Sequence, residues 1–198
     1  LGDVYKRQEY DIDAALWIGD VGISGINAVA EILTGKVNPS GSLVDTYCYD
    51  NYSAPAMWNF TPSTYEGYVE GGDVPAKSKS YMIYQEGIYV GYRYFETFGD
   101  AAKRVCYPFG FGLSYTQFSL TVQSVTETAQ AIRAFVLVTN TGDYSGKEVV
   151  QMYYSAPQGL LQKPARELSA FCKTRTLLPG ESQLLTLETA KDSMASYD

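Results

Sequence analysis

No histidine occurs anywhere in the 198 residues. That absence removes the Ser-His-Asp triad, the commonest metal ligand and the usual general base near neutral pH. Any chemistry would have to rest on carboxylates, Lys, Tyr or Cys. Cysteine is scarce too: three residues, at 48, 106 and 172. An odd number so widely spaced is neither a disulfide framework nor a metal knuckle, and reads as buried free thiols. No apolar run approaches the ~20 residues that a bilayer span requires. Basic residues are outnumbered, 15 against 22 acidic, for a net charge of −7. Nucleic acid, whose phosphates demand Lys/Arg clusters, is therefore not an expected partner.

Hydrophobic residues make up 45% of the chain and charged ones only 19%, which predicts a folded core rather than disorder. Eighteen Gly and eighteen Tyr point to strands and turns more than helices. Near the start, "AALWIGD" (14–20) is a short apolar run that predicts a strand buried on both faces. Ser24 stands in an N-cap position, Ile26, Val29, Ala30 and Leu33 follow at helical spacing, and Gly35 closes the helix. "NPSGSL" (38–43) is a turn, and 48–80 is a long irregular polar-aromatic stretch.

"YMIYQEGIYVGYRYFETF" (81–98) has the Tyr, Ile and Val content of a strand, and "YPFGFGLSYTQF" (107–118) reads as a linker pinned by its own rings. From Phe118 onward short alternating segments are separated by "TGDYSG", "PQG" and "LPG", the pattern of a β-sandwich. The expected organisation is an α/β remnant at 9–80, a Tyr/Gly-rich connector at 81–117 and an all-β sandwich of immunoglobulin type at 118–198. Five strands can be counted in that last part, where about seven are usual. The sandwich is therefore expected to be truncated, with an open sheet edge, with Phe135, Leu137 and Val149 losing cover on the inner face, and with self-association as the result.

Candidate chemistry is thin. Gly19, Gly22 and Gly25 in "GDVGISG" lack dinucleotide-fingerprint spacing, so a tight turn is the better reading than a phosphate site. Glycoside hydrolysis needs two placed carboxylates. Glu86 is the one acid embedded in aromatic text, and it and Arg93, seven residues on, are expected either to form a structural ion pair or to find separate hydrogen-bond partners. Asp20, Glu31, Asp45 and Glu96 fall beside turns or on helix surface and read as solvated. Ten of the eighteen Tyr lie between 47 and 94. Such rings either stack on a sugar or form the loop's own small core, the reading favoured here. No catalytic, metal-binding or cofactor-binding residue is assigned, and no cofactor is expected.

Four segments carry a resemblance: "AALWIGDVGISGINAVAEILTGKVNPSGSLVDTY", "YQEGIYVGYRYFET", "YPFGFGLSYTQF" and "VTNTGDYSGKEVVQMYYSAP…KPARELSAFCKTRTLLPGES". In this order they resemble glycoside hydrolase family 3, the β-glucosidase-like enzymes. One departure is Ser42, where the family often has Arg. The resemblance implies the end of the family's α/β-sandwich domain, its connector and its fibronectin-III-like domain. It also implies a parent that hydrolyses O-glycosidic bonds by a retaining mechanism, with oligosaccharide or β-glycoside substrates held through a barrel domain outside this chain. The family's nucleophilic Asp and acid/base Glu match nothing here, and Glu86 is not the acid/base equivalent.

The opening octet, "LGDVYKRQ", fits none of this. "DVYKRQ" can be encoded by GATGTGTATAAGAGACAG, which resembles the transposon end used to fragment DNA for sequencing. Residues 1–8 are read as a translated artefact, with a native surface loop as the alternative. For the whole chain the alternative to an enzyme part is a free-standing carbohydrate-binding or adhesion module.

Overall fold

The computed structural model describes residues 12–66 and 80–196. The 1–8 stretch and the middle of the 48–80 segment lie outside those residues. Elements in chain order are α1 (Ile26–Leu33), β1 (Tyr47–Cys48), α2 (Pro55–Trp58), β2 (Ser63–Thr64), β3 (Ser80–Tyr81), α3 (Tyr92–Thr97), β4 (Val105–Tyr107), β5 (Phe118–Glu127), β6 (Ala131–Asn140), β7 (Val149–Tyr154), β8 (Glu167–Lys173) and β9 (Ser182–Ala190).

The sandwich follows the expected alternation. All five anticipated segments are strands, in two sheets: β5-β6-β9, antiparallel throughout, and β7-β8. Their shared core is Ala134, Val136, Val138, Val150, Leu177, Leu185 and Leu187, with Phe118, Met152, Ala170 and Cys172 packed against it. This corrects the predicted inner face. Even-numbered β6 residues point inward, whereas Phe135 and Leu137 lie on the opposite face. Val138 is fully buried. Val149 likewise yields to Val150 as the β7 core residue.

The inner face is not covered along its whole width. Leu120, Val122 and Val125 of β5 pair in register with Val138, Val136 and Ala134, so they share the core face. Yet they are 50%, 63% and 62% exposed. The second sheet, two strands wide with β8 alongside β9, covers β6 and β9 and stops short of β5.

Asn140 closes the end of β6 and is fully buried. Its Oδ1 accepts from Thr116 Oγ1 (2.8 Å) and the Gly142 amide (3.1 Å). Its Nδ2 donates to the Tyr144 (2.8 Å) and Leu177 (2.9 Å) carbonyls. One side chain thus holds the "TNTGDYSG" turn against the loop that leads into β9.

A second turn, just before β9, depends on charge. Arg175 Nη2 bonds Glu181 Oε1 at 2.6 Å, and the Leu178 amide donates to Glu181 Oε2 at 2.9 Å. The Arg175 bond first, and the amide second, lower the Glu181 carboxyl from 4.5 to about 2. A depressed carboxyl contributes stability that is present above its unfolded value and lost as pH falls through the folded one. Between pH 4.5 and about 2 the intact protein should lose midpoint on acid titration that a Glu181→Gln variant, already lacking the contribution, does not lose. Parallel acid curves for the two proteins would contradict this.

The α/β part departs more from expectation. Residues 14–20 form no ladder, and Trp17, Leu16 and Ile18 are exposed. A strand of this kind needs parallel neighbours, and none lies beside it among the described residues. The helix forms as predicted, but Gly25 rather than Ser24 is its N-cap. Ser24 already lies inside a turn closed by the Gly25 amide on the Val21 carbonyl (3.1 Å), so it lacks the extended backbone that a capping side chain needs. Gly19 and Gly22 have φ of +58° and +59°, and a Cβ on Gly25 would lie 2.1 Å from the Val21 carbonyl oxygen. Backbone geometry accounts for this glycine spacing. Gly35, at φ +73°, ends the helix as expected. The predicted strand over 81–98 is β3 followed by the helix α3.

Candidate functional site

Glu86 and Arg93 do not pair. Among the described residues the Glu86 carboxylate meets no cation, while Arg93 Nη2 lies 3.3 Å from Glu167 Oε2. The backbone turn from Glu86 to Tyr89, closed at 2.9 Å, starts the coil that carries Arg93 away from it. Glu96 is not simply solvated either: it is the ion-pair partner of Arg166. Glu31 pairs with Lys36, and Asp20 accepts the Gly22 amide at 3.1 Å. No two carboxylates converge into an acid–nucleophile couple among the described residues.

These residues build a latch between α3 and the start of β8. Tyr92 OH accepts the Leu168 amide at 2.7 Å, and Thr97 Oγ1 accepts the Ala165 amide at 2.9 Å. Both amides precede or open the β8 strand, where edge N–H groups would otherwise need water. Arg93 and Arg166 reach across in opposite directions, to Glu167 and Glu96. The Arg166 guanidinium also sits 5.7 Å from the centroid of the Tyr153 ring, and Tyr92 meets that ring edge-on at 5.8 Å. Burial, then neighbouring Tyr92 and Glu96, push the Tyr153 hydroxyl up; burial and Glu167 do the same to Tyr154. Both phenols therefore stay neutral and act as packing and hydrogen-bonding groups.

A second fastening joins the "NPSG" turn to the connector and the sandwich. Asn38 Oδ1 accepts from the Tyr115 amide (2.9 Å) and Ser114 Oγ (3.0 Å), and its Nδ2 donates to the Ser145 carbonyl (3.0 Å). Tyr115 OH donates to the Ile32 carbonyl at the end of α1 (2.9 Å). Lys173 donates to the Ser40 carbonyl (2.7 Å). Glycine makes this approach feasible. A Cβ on Gly112 would lie 2.4 Å from the Gly41 carbonyl oxygen, and one on Gly146 2.7 Å from Asn38 Nδ2.

Most of the described tyrosines of 47–94 pack against other aromatic rings. Tyr94 contacts Trp58, Phe95 and Phe98; Tyr65 contacts Tyr81; Tyr92 stacks on Phe109 at 4.8 Å. Cys48 and Phe95 form a small buried core beneath them, and burial raises the Cys48 thiol. Tyr84 and Tyr52, at 80% and 73% exposed, remain open to solvent. Among the described residues no cluster of three or more His, Cys, Asp or Glu could hold a metal ion, and no helix is long and apolar enough to cross a membrane.

Sequence reasoning missed the roles of Tyr92, Glu96, Thr97, Arg166, Glu167 and Asn38. The available signal was the polar set Tyr92, Arg93, Glu96 and Thr97, which share one face only if the segment is helical. A strand reading divides them between two faces.

Comparison with known proteins places these parts. Residues 2–92 match the model of the glycosyl hydrolase family 3 C-terminal domain, and residues 148–198 match the fibronectin type III-like domain. Beta-glucosidase A of Butyrivibrio fibrisolvens is 46% identical over 97% of this chain and 23% of its own length. Exo-alpha-(1->6)-L-arabinopyranosidase of Bifidobacterium longum is 35% identical over 89% of this chain and 21% of its own. The crystal structure of a beta-glucosidase from Paenibacillus barengoltzii superposes with a TM-score of 0.75 at 48% identity, covering 88% of this chain and 17% of that one. The chain thus spans about a fifth of the length of the proteins it matches.

Proposed function

This chain belongs to glycoside hydrolase family 3, and from that premise we propose that it is the C-terminal part of a β-glucosidase-type enzyme whose catalytic carboxylates lie on other parts of the parent. The observation that carries this reading is the latch. Side chains of α3, the Asn38 side chain and the Ser40 carbonyl hold the sandwich with at least six hydrogen bonds and ion pairs, and the similarity runs in the same order across 97% of the chain. A structural role of this kind needs no catalytic pair of its own. The apolar residues exposed on 14–33, Trp17, Ile18, Ile26 and Leu33 among them, supply a face for the rest of the α/β domain. Among the described residues β7 pairs only with β8 and the inner face of β5 is uncovered, which supplies room for further strands of the sandwich.

In the parent, one carboxylate would attack the anomeric carbon while a second carboxyl protonates the departing glycosidic oxygen. Water, deprotonated by that second group, would then release the sugar with its original configuration. The full-length parent should hydrolyse 4-nitrophenyl β-D-glucopyranoside, and proton NMR at early times should show β-glucose as the first-formed anomer. Release of α-glucose first, or no hydrolysis of any aryl glycoside, would contradict the proposal.

A further inference from the structure

The exterior of the β5-β6-β9 sheet is not the uniformly polar surface expected of a sandwich. Register sets Phe135 between Ser124 of β5 and Thr186 of β9, and Leu137 between Thr121 and Leu184. The two rows make an apolar floor fenced by hydroxyl-bearing residues. A bulge in β5 inserts Gln123 beside this floor, where a bulge re-aims a side chain out of the regular pleat. Gln123, Ser124, Phe135, Leu137 and Leu184 line one open cleft of about 430 Å³.

Charge narrows what can occupy it. No lining residue is ionised, although the whole chain carries −7. The two nearest charges on this face, Arg133 and Glu188, neutralise each other in a pair at 2.6 Å. At the other end Thr139 and Ser182 are bonded to each other at 2.8 Å. The free polar groups over the floor are then an amide and hydroxyls, which both donate and accept without charge. The latch to α3 uses the other sheet, so it leaves this face open.

We propose that this cleft is a non-catalytic binding site for a neutral oligosaccharide, with one sugar ring laid on Phe135 and its hydroxyls bonded to the Gln123 amide and the neighbouring hydroxyls. A pyranose has the matching anatomy: a C–H face that packs on an aromatic ring and a rim of hydroxyl groups. An ionic ligand would find no unpaired countercharge here, and a purely apolar one would leave the amide and hydroxyls unsatisfied. The proposal rests on the glycosidase reading only for its choice of sugar.

Hydrogen exchange tests it in the full-length parent, with a thio-linked cellotetraose that is not hydrolysed as the probe. Exchange in peptides spanning 121–126 and 133–138 should slow by about threefold or more at millimolar probe, and the slowing should vanish in Phe135→Ala. Unchanged exchange in those peptides, with the inner positions of β6 and β9 still protected, overturns the site. So does slowing that persists in both Phe135→Ala and Leu184→Thr. Hydrolysis of 4-nitrophenyl β-D-glucopyranoside by the unaltered parent is recorded separately. Protection without hydrolysis would defeat the glycosidase reading and leave the cleft standing; hydrolysis without protection would do the reverse.

Discussion

The isolated 198-residue polypeptide should sediment above its 21.9 kDa monomer mass at tens of micromolar. Leu120, Val122 and Val125 lie on the core face of β5 and are at least half exposed. Apolar surface left in this state forfeits ~25 cal/mol per Å², which association with a second copy recovers. Among the described residues β7 pairs only with β8, so its other edge is a template for another strand. Inward-pointing charge is the remedy natural sheets use, so Val122→Lys combined with Val125→Lys should shift the distribution toward monomer. A clean, stable monomer of the unaltered chain with a cooperative melt would contradict the expectation, because it would show that the five strands form a closed sandwich.

Asn140→Asp should be among the most damaging isosteric changes in the sandwich. The amide it replaces is fully buried and satisfied on both atoms, accepting from Thr116 and Gly142 and donating to the carbonyls of Tyr144 and Leu177. A carboxylate keeps the two acceptor bonds. It loses both donors and points negative charge at two carbonyl oxygens. The Leu177 carbonyl keeps the Gly146 amide at 3.1 Å, so the lost donors together cost about 1–3 kcal/mol, and the unpaired buried charge adds to that, for a total of about 4 kcal/mol or more. Burial raises the new carboxyl above its unfolded value, so folding favours the protonated form. The deficit should therefore shrink as pH falls toward that raised value, because the protonated acid regains one donor. Calorimetry of the full-length parent and its variant at neutral and acid pH checks both points. A midpoint unchanged at neutral pH, or a deficit that grows as pH falls, would show that the amide is not the hub described here.

The fold was legible in the sequence wherever a period is strict and one face is buried. The five sandwich strands announce themselves by alternation and by the turns between them. Which face is inside did not follow, because both parities of β6 are apolar. Phe135 and Leu137 outweigh Ala134, Val136 and Val138 in size, and the larger pair is the outer one. In "AALWIGD" apolarity signalled burial, but burial needs a partner, and none stands beside it among the described residues.

The helix at Tyr92–Thr97 was hidden for a different reason. Tyr, Arg, Tyr, Phe, Glu and Thr have modest helix propensity, and contacts to residues about 70 positions away hold the turn. For the same reason Arg93 looked locally to Glu86, whereas the fold brings Glu167 to it. Family membership was legible because four separate motifs occur in one order. The latch that gives them a common purpose depends on side chains that only the folded chain brings together.

Release of 4-nitrophenol from aryl β-glucosides by this chain alone measures most directly whether the catalytic carboxylates lie elsewhere in the parent. No turnover above the uncatalysed rate is expected, because no acid–nucleophile couple lies among this chain's described residues. Turnover by the purified chain that disappears in Glu86→Gln would contradict the account and return the catalytic role to that residue.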